Sequence, residues 1–238
     1  MDLIKQINEL KKQKNAIILT HCYQNIEIDE VSDFVGDSLY LSKMAAQTDA
    51  EIIVFAGVYF MAQSAKLLSP NKKVLFVPDN YLGKYVQEQL PNIEIITFNG
   101  YCPIHQRIRV EEIENARKNY PNAIICTHPE CNQEVAKRSD FIGSTKEIME
   151  YVVKSDKKQF VIATEKGVVD RLNRDSRKFN WNKEFILIDE NIICPDMKKN
   201  TLEGIYNTLL NETNEIKIEP DIAKKAVQCI DKMFEITK

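Results

Sequence analysis

The feature that most constrains this chain is an internal match. AIILTH (16–21) returns as AIICTH (123–128), SDFVG (32–36) returns as SDFIG (139–143), and IVFAG (53–57) aligns with FVIAT (160–164), every pair separated by 107 residues. One such pair is within reach of chance; three in a single register point to a duplicated unit. Around these blocks the apolar runs AIILT (16–20), EIIVFAG (51–57), KVLFV (73–77), IEIITF (93–98), NAIICT (122–127), QFVIAT (159–164) and EFILI (184–188) alternate with amphipathic stretches. That rhythm belongs to βα units, whose parallel strands are covered by helices. The expected fold is α/β, with two repeated three-layer α/β domains built on short parallel sheets. The expected boundaries are residues 1–80 for the first repeat and 81–219 for the second. An amphipathic helix over 220–238 is expected to pack back on the first repeat.

The two copies part company after their third block. In the second, FILIDE (185–190) leads promptly to Cys194-Pro195, whereas in the first the matching VLFVPD (74–79) is followed by another helix, YLGKYVQEQL, and another strand. Only then does Cys102-Pro103 arrive, in NGYCPIH. The first copy reads as one from which a piece has been removed.

At 238 residues the chain can bury a core without disulfides. A net charge of −3 with scattered Lys and Arg gives no footprint for nucleic acid or an anionic membrane. No apolar run approaches the roughly 20 residues of a bilayer span. The N-terminus reads as an amphipathic helix (Leu3, Ile4, Ile7 and Leu10 on one face) rather than an export signal, so the cytoplasm is the expected location. In that compartment the cysteines at 22, 102, 126, 131, 194 and 229 are thiols or metal ligands rather than a disulfide framework.

His21 and His128 follow equivalent strands, at the end of an α/β sheet where ligands bind. A lone histidine is usually structural; two of three histidines at equivalent repeat positions favour a shared role. His128 runs into Pro129-Glu130, which sets an imidazole and a carboxylate on a stiffened loop suited to acid/base work, although Glu130 would also favour a helix start. Tyr23 is either a proton donor near the same point of the first copy or a residue packed on the sheet. Gly36-Asp37-Ser38 and Gly143-Ser144-Thr145 precede helices, where hydroxyls and free N–H groups hold a carboxylate or phosphate or simply cap the helix. Cys102 and Cys194, each followed by proline, are candidate metal ligands; Cys126 and Cys229 suit a core, and Cys22 and Cys131 lie close to the candidate histidines.

Taken together, HCYQ (21–24), DFVGDSLYL (33–41), FAGVYFMAQSAKLLSP (55–70), PDNYLGKYV (78–86), GYCPIH (100–105), THPEC (127–131), DFIGST (140–145), TEKGVVDRL (164–172) and CPDMKK (194–199) resemble, in order, the motifs of the quinolinate synthase family. The resemblance implies three similar α/β domains about a pseudo-threefold axis, each giving one cysteine to a [4Fe–4S] cluster. One iron is then left open as a Lewis acid for a dehydration, while iminoaspartate condenses with dihydroxyacetone phosphate in NAD biosynthesis. By that resemblance Cys102 and Cys194 are cluster ligands and His21, Ser38, His128, Pro129, Glu130, Ser144 and Thr145 contact a small anionic carboxylate or phosphate substrate. Glu130 is the acid/base, and Tyr23 stands near the reacting carbon.

Between VLFVPD and NYLGKYV the chain omits about one family domain, and with it one cluster cysteine. The missing ligand is then expected from Cys22, Cys131 or a second copy in a homodimer. Two other readings remain at this point: a non-catalytic iron–sulfur or thiol redox sensor that binds small anions, and a metal-free acid/base enzyme.

Overall fold

The computed structural model describes residues 3–57, 74–76, 79–89, 95–97, 99–215, 217–224 and 226–228. In chain order the elements are α1 (Leu3–Gln13), β1 (Ala16–His21), β2 (Phe34–Gly36), α2 (Ser38–Gln47), β3 (Ile52–Ala56), β4 (Val74–Phe76), α3 (Asn80–Gln89), β5 (Ile95–Thr97), α4 (Val110–Asn119), β6 (Ile124–Thr127), α5 (Gln133–Ala136), β7 (Phe141–Ile142), α6 (Thr145–Lys154), β8 (Gln159–Ala163), α7 (Lys166–Phe179), β9 (Glu184–Leu187) and α8 (Leu202–Asn211). Each apolar run picked out in the sequence forms a strand, and every described strand pair is parallel, as the α/β reading requires. No described helix is long and apolar enough to cross a membrane.

The chain divides into two units, Met1–Lys72 with Pro195–Lys238, and Lys73–Cys194. The boundaries expected from the sequence are 80/81 and 219/220. In the first unit the strand order is β2-β1-β3. Ile18 and Ala56 from this sheet, Ile7 of α1, and Ile205 and Leu209 of α8 share one core. Burying each large side chain there contributes roughly 1.5–3 kcal/mol. The chain's return onto this unit thus begins well before 220, with α8 against α1. Of the expected helix over 220–238, residues 225 and 229–238, and with them Cys229, lie outside the described residues, as do 58–70 of the FAGVYF motif.

In the second unit the order is β7-β6-β8-β9, beside a separate pair β4-β5. The expected counterpart of β9 in the first copy, 74–79, does not extend the first sheet among the described residues; Val74, Leu75 and Phe76 pair with Ile95, Ile96 and Thr97 of β5. Three residues carry too little pattern to specify a partner strand from the sequence.

The match at 107 residues extends to hydrogen bonds. Asp33 Oδ2 accepts from the Ile18 N–H at 2.8 Å and Asp140 Oδ2 from the Ile125 N–H at 2.8 Å. Thr20 bonds Ser32, and Thr127 bonds Ser139. Strand registers agree as well: Ile17 faces Ile53 and Ile124 faces Phe160, while Thr20 faces Val35 and Thr127 faces Ile142.

Candidate functional site

In each sheet the chain steps from the first strand to a neighbour on one side and then to a neighbour on the other: β1 lies between β2 and β3, and β6 between β7 and β8. In the second sheet the connection leaving β6 runs to β7 on one side and that leaving β8 runs to β9 on the other, which opens a crevice between the carboxyl ends of β6 and β8. His21 ends β1, and His128 follows β6 directly.

Each histidine opens the same tight turn. The Gln24 N–H donates to the His21 carbonyl at 2.9 Å and the Cys131 N–H to the His128 carbonyl at 3.0 Å. Nδ1 of each ring accepts the N–H two residues on, from Tyr23 at 3.2 Å and from Glu130 at 3.3 Å. Pro129, with φ fixed near −65°, suits the second position of such a turn. Tyr23 and Glu130 are thus equivalent positions of the two turns.

In the first unit His21, Cys22 and Tyr23 are all buried. The Tyr23 ring meets the His21 ring edge-on at 4.6 Å, and Cys22 Sγ lies 3.9 Å from His21 Nδ1. Ser38 and Thr145 are the first residues of α2 and α6. The caps are their predecessors: the Asp37 carboxylate accepts from the Tyr40 N–H at 2.9 Å, and Ser144 forms a capping box with Glu147. Ser144 is therefore engaged in helix capping. Thr145 is buried beside it, 3% exposed.

The second unit gathers Cys102, His105, His128 and Glu130. His105 sits in a short 3-10 turn after Cys102-Pro103 and is buried. Its Nδ1 lies 2.9 Å from Glu130 Oε2 and its Nε2 lies 2.9 Å from Thr164 Oγ1. The neutral imidazole satisfies both as the Nδ1–H tautomer, donating to the carboxylate and accepting from the hydroxyl. Burial pushes His105 down to about 4, and burial with the neighbouring His105 pushes His128 down to about 3. Both rings are neutral at pH 7. The Glu130 carboxylate, its side chain 24% exposed, is thus held from behind by a neutral imidazole and reaches solvent, the setting of an acid/base group.

Burial lifts the Cys102 thiol to about 11, with Glu130 and Cys194 adding to the effect. Cys131 is raised well above the ordinary thiol range, again chiefly by burial, and its Sγ–H points to the Ala163 carbonyl at 3.7 Å. Cys126 lies in the core on β6. Among the described residues one group of three side chains can hold a metal ion: Cys102, His105 and Glu130, whose ligand atoms all lie within 4.8 Å of one another. Cys194, the other expected ligand, stands outside that group.

His105, Thr164, Asp79 and Glu165 received no role from sequence reasoning. Asp79 Oδ2 accepts the Cys102 N–H at 2.9 Å, and Glu165 Oε1 accepts the Cys194 N–H at 3.1 Å. For His105 the available signal was its place three residues after Cys102 in a CPIH run.

A family model described as "Quinolinate synthetase A protein" matches residues 5–76 and 71–235. Its two matches share residues 71–76, which lie around β4. Among curated proteins, the quinolinate synthase of Caldicellulosiruptor saccharolyticus is 36% identical over 300 residues, covering 98% of each chain. That of Clostridioides difficile is 36% identical over 304 residues, covering 100% of this chain and 99% of its own, and that of Sulfurihydrogenibium sp. is 35% identical over 307. An alignment of 304 positions against 238 residues leaves at least 66 positions of the Clostridioides difficile protein without a counterpart here. On the family match and on these identities, the chain belongs to the quinolinate synthetase A protein family of enzymes.

Proposed function

We propose that the chain is an iron–sulfur enzyme that condenses iminoaspartate with dihydroxyacetone phosphate to quinolinate, a step of NAD biosynthesis. The observation that carries this reading is the convergence of Glu130, His105 and Cys102, which sets a supported acid/base carboxylate beside a metal-ligating thiol. Family membership supplies the reaction.

The donor chemistry suits a [4Fe–4S] cluster. Cys102 and Cys194 are half-buried thiols, Cys194 lies close enough to add to the rise of the Cys102 pKa, and a thiol lifted chiefly by burial to about 11 gives up its proton readily only to a metal. We assign both as ligands, with the third from Cys131, Cys22 or a second copy of the chain. When bound, the cluster supplies an open iron as a Lewis acid toward a substrate oxygen.

This chain's own residues do the rest. Glu130 moves protons at the substrate, and His105 fixes which carboxylate oxygen is engaged. His21 and His128 contact substrate at the carboxyl ends of β1 and β6, and Tyr23 stands near the reacting carbon. Ser38, Thr145 and the N–H groups that start α2 and α6 hold carboxylate or phosphate, with Pro129 and Ser144 shaping the second copy's turn and helix start. The two units descend from a duplicated ancestor, which accounts for the common offset of their hydrogen bonds.

The test is iron, acid-labile sulfide and the visible spectrum after oxygen-free purification, for wild type and the Cys22→Ala, Cys102→Ala, Cys131→Ala and Cys194→Ala variants. About four irons per cluster, lost with Cys102 or Cys194 and with one further cysteine, is the expected result. No iron after anaerobic reconstitution would overturn the reading in favour of a thiol or metal-free acid/base site.

A further inference from the structure

The second unit contains a device used twice. Asp79 precedes α3 and Glu165 precedes α7, and in each case one carboxylate oxygen caps the helix: Asp79 Oδ1 accepts from the Leu82 N–H at 2.8 Å, and Glu165 Oε2 from the Gly167 N–H at 2.6 Å. The other oxygen of each carboxylate takes the N–H of a Cys-Pro cysteine, Cys102 for Asp79 and Cys194 for Glu165. One backbone bond repeats beside it. The Asn80 N–H donates to the Gly100 carbonyl at 2.8 Å and the Lys166 N–H to the Ile192 carbonyl at 3.0 Å, each two residues before the cysteine. Even the strands correspond, since β4 pairs with β5 and β8 with β9.

Helix capping alone does not call for this arrangement. α6 is capped by a serine hydroxyl and α8 by a threonine hydroxyl, and a single oxygen suffices. Asp79 is 2% exposed and Glu165 0%, so each carboxylate is taken out of water at a cost that good hydrogen bonds must offset. The second oxygen is spent on the cysteine. The effect there is large, because the proline that follows already restricts the cysteine to extended backbone. With the N–H anchored on one side and the conformation limited on the other, the Cα–Cβ direction of the cysteine is fixed before any ligand binds.

We infer that Asp79 and Glu165 are positioning residues, each clamping one Cys-Pro cysteine so that Cys102 and Cys194 present their sulfurs from matched backbone settings. The iron–sulfur reading enters only in naming what the sulfurs hold. Partners of metal ligands that act in this way change affinity by about 10–100-fold when removed.

Asp79→Ser and Glu165→Ser keep an oxygen to cap the helix and have none left for the cysteine. If either fails to fold by circular dichroism, Asp79→Asn and Glu165→Gln, which each retain one acceptor oxygen, supply the same comparison. The full-length, metal-free protein is alkylated with iodoacetamide under native, oxygen-free conditions and the modified cysteines are mapped by mass spectrometry. Asp79→Ser speeds alkylation of Cys102 several-fold and leaves Cys194 at the wild-type rate; Glu165→Ser does the reverse. Equal acceleration of both cysteines, or of neither, overturns the clamp. In reconstituted protein, iron release to a chelator is about tenfold faster or more in either variant. A wild type that takes up no iron while the pairwise alkylation pattern holds sinks the iron–sulfur reading and leaves the clamp standing. Iron uptake without the pairwise pattern does the opposite.

Discussion

His105 and His128 stack face to face, with ring centroids 4.5 Å apart and planes inclined by 9°. Two stacked imidazoles at that spacing, one buried and one with its side chain 12% exposed, cannot both be charged, and burial holds His105 down to about 4 and His128, with His105 beside it, down to about 3. The unfolded chain protonates both near pH 6.5. Between about pH 6.5 and the folded values the unfolded state therefore binds more protons, and stability falls as the pH falls. Urea unfolding of the metal-free protein at pH 7.5 and pH 5 is expected to differ by on the order of 2 kcal/mol for each histidine. His128→Asn reduces the difference.

Thr164 completes the support of His105. In Thr164→Val the buried Nε2 loses its partner, which costs about 1–3 kcal/mol, and Glu130 keeps its imidazole but loses the fixed tautomer. A double-mutant cycle of Thr164→Val with His105→Asn, read by thermal unfolding, shows coupling well above zero. Simple addition of the two effects would contradict this support.

Asp140 ties the second sheet to its surroundings. Its carboxylate accepts from the Ile125 N–H and pairs with Arg117 through two contacts of 2.7 Å. Burial alone would raise its pKa, but the bonds to Arg117 and the Ile125 N–H prevail and the pKa is lowered. The group's contribution is present above about pH 4 and is lost as the pH falls through the lowered folded value. Asp140→Ala leaves the Ile125 N–H without its acceptor and costs about 1–3 kcal/mol at pH 7, with a smaller difference from wild type at pH 2.5. Asp33→Ala, at the equivalent position, removes the corresponding bond to Ile18 and has an effect of similar size at pH 7.

The repeat was legible because the same side chains do the same work at one offset: Asp33 and Asp140 accept from Ile18 and Ile125, and Thr20 and Thr127 meet Ser32 and Ser139. The strands were legible as apolar runs, whereas β2 and β7, of three and two residues, were too short to stand out. The clamp escaped notice because its copies use different acids at different separations, 23 residues from Asp79 to Cys102 and 29 from Glu165 to Cys194. α7, with 14 residues against 10 in α3, accounts for most of that difference. His105 escaped because it has no repeat partner and follows no strand directly; only folding brings it to Glu130 and Thr164.

Glu130→Gln keeps the size of the side chain and an oxygen that still accepts from His105, but it cannot exchange a proton. Loss of a general acid/base costs about 10²–10⁴-fold in rate. Iron content and spectrum are expected to match wild type, which separates a chemical role for Glu130 from a metal-holding one. If the variant loses metal along with activity, Glu130 is a ligand, as its place beside Cys102 and His105 also permits.

Formation of quinolinate is the decisive measurement. The anaerobically reconstituted wild-type chain is supplied with dihydroxyacetone phosphate and freshly generated iminoaspartate, and product is followed by chromatography and mass spectrometry. Quinolinate is expected to form over many turnovers, to be abolished in Cys102→Ala and to fall at least about 100-fold in Glu130→Gln. A protein that carries its full complement of iron and sulfide yet forms no quinolinate would contradict the proposed function, and would identify the chain as a family member that has kept the metal site without the reaction.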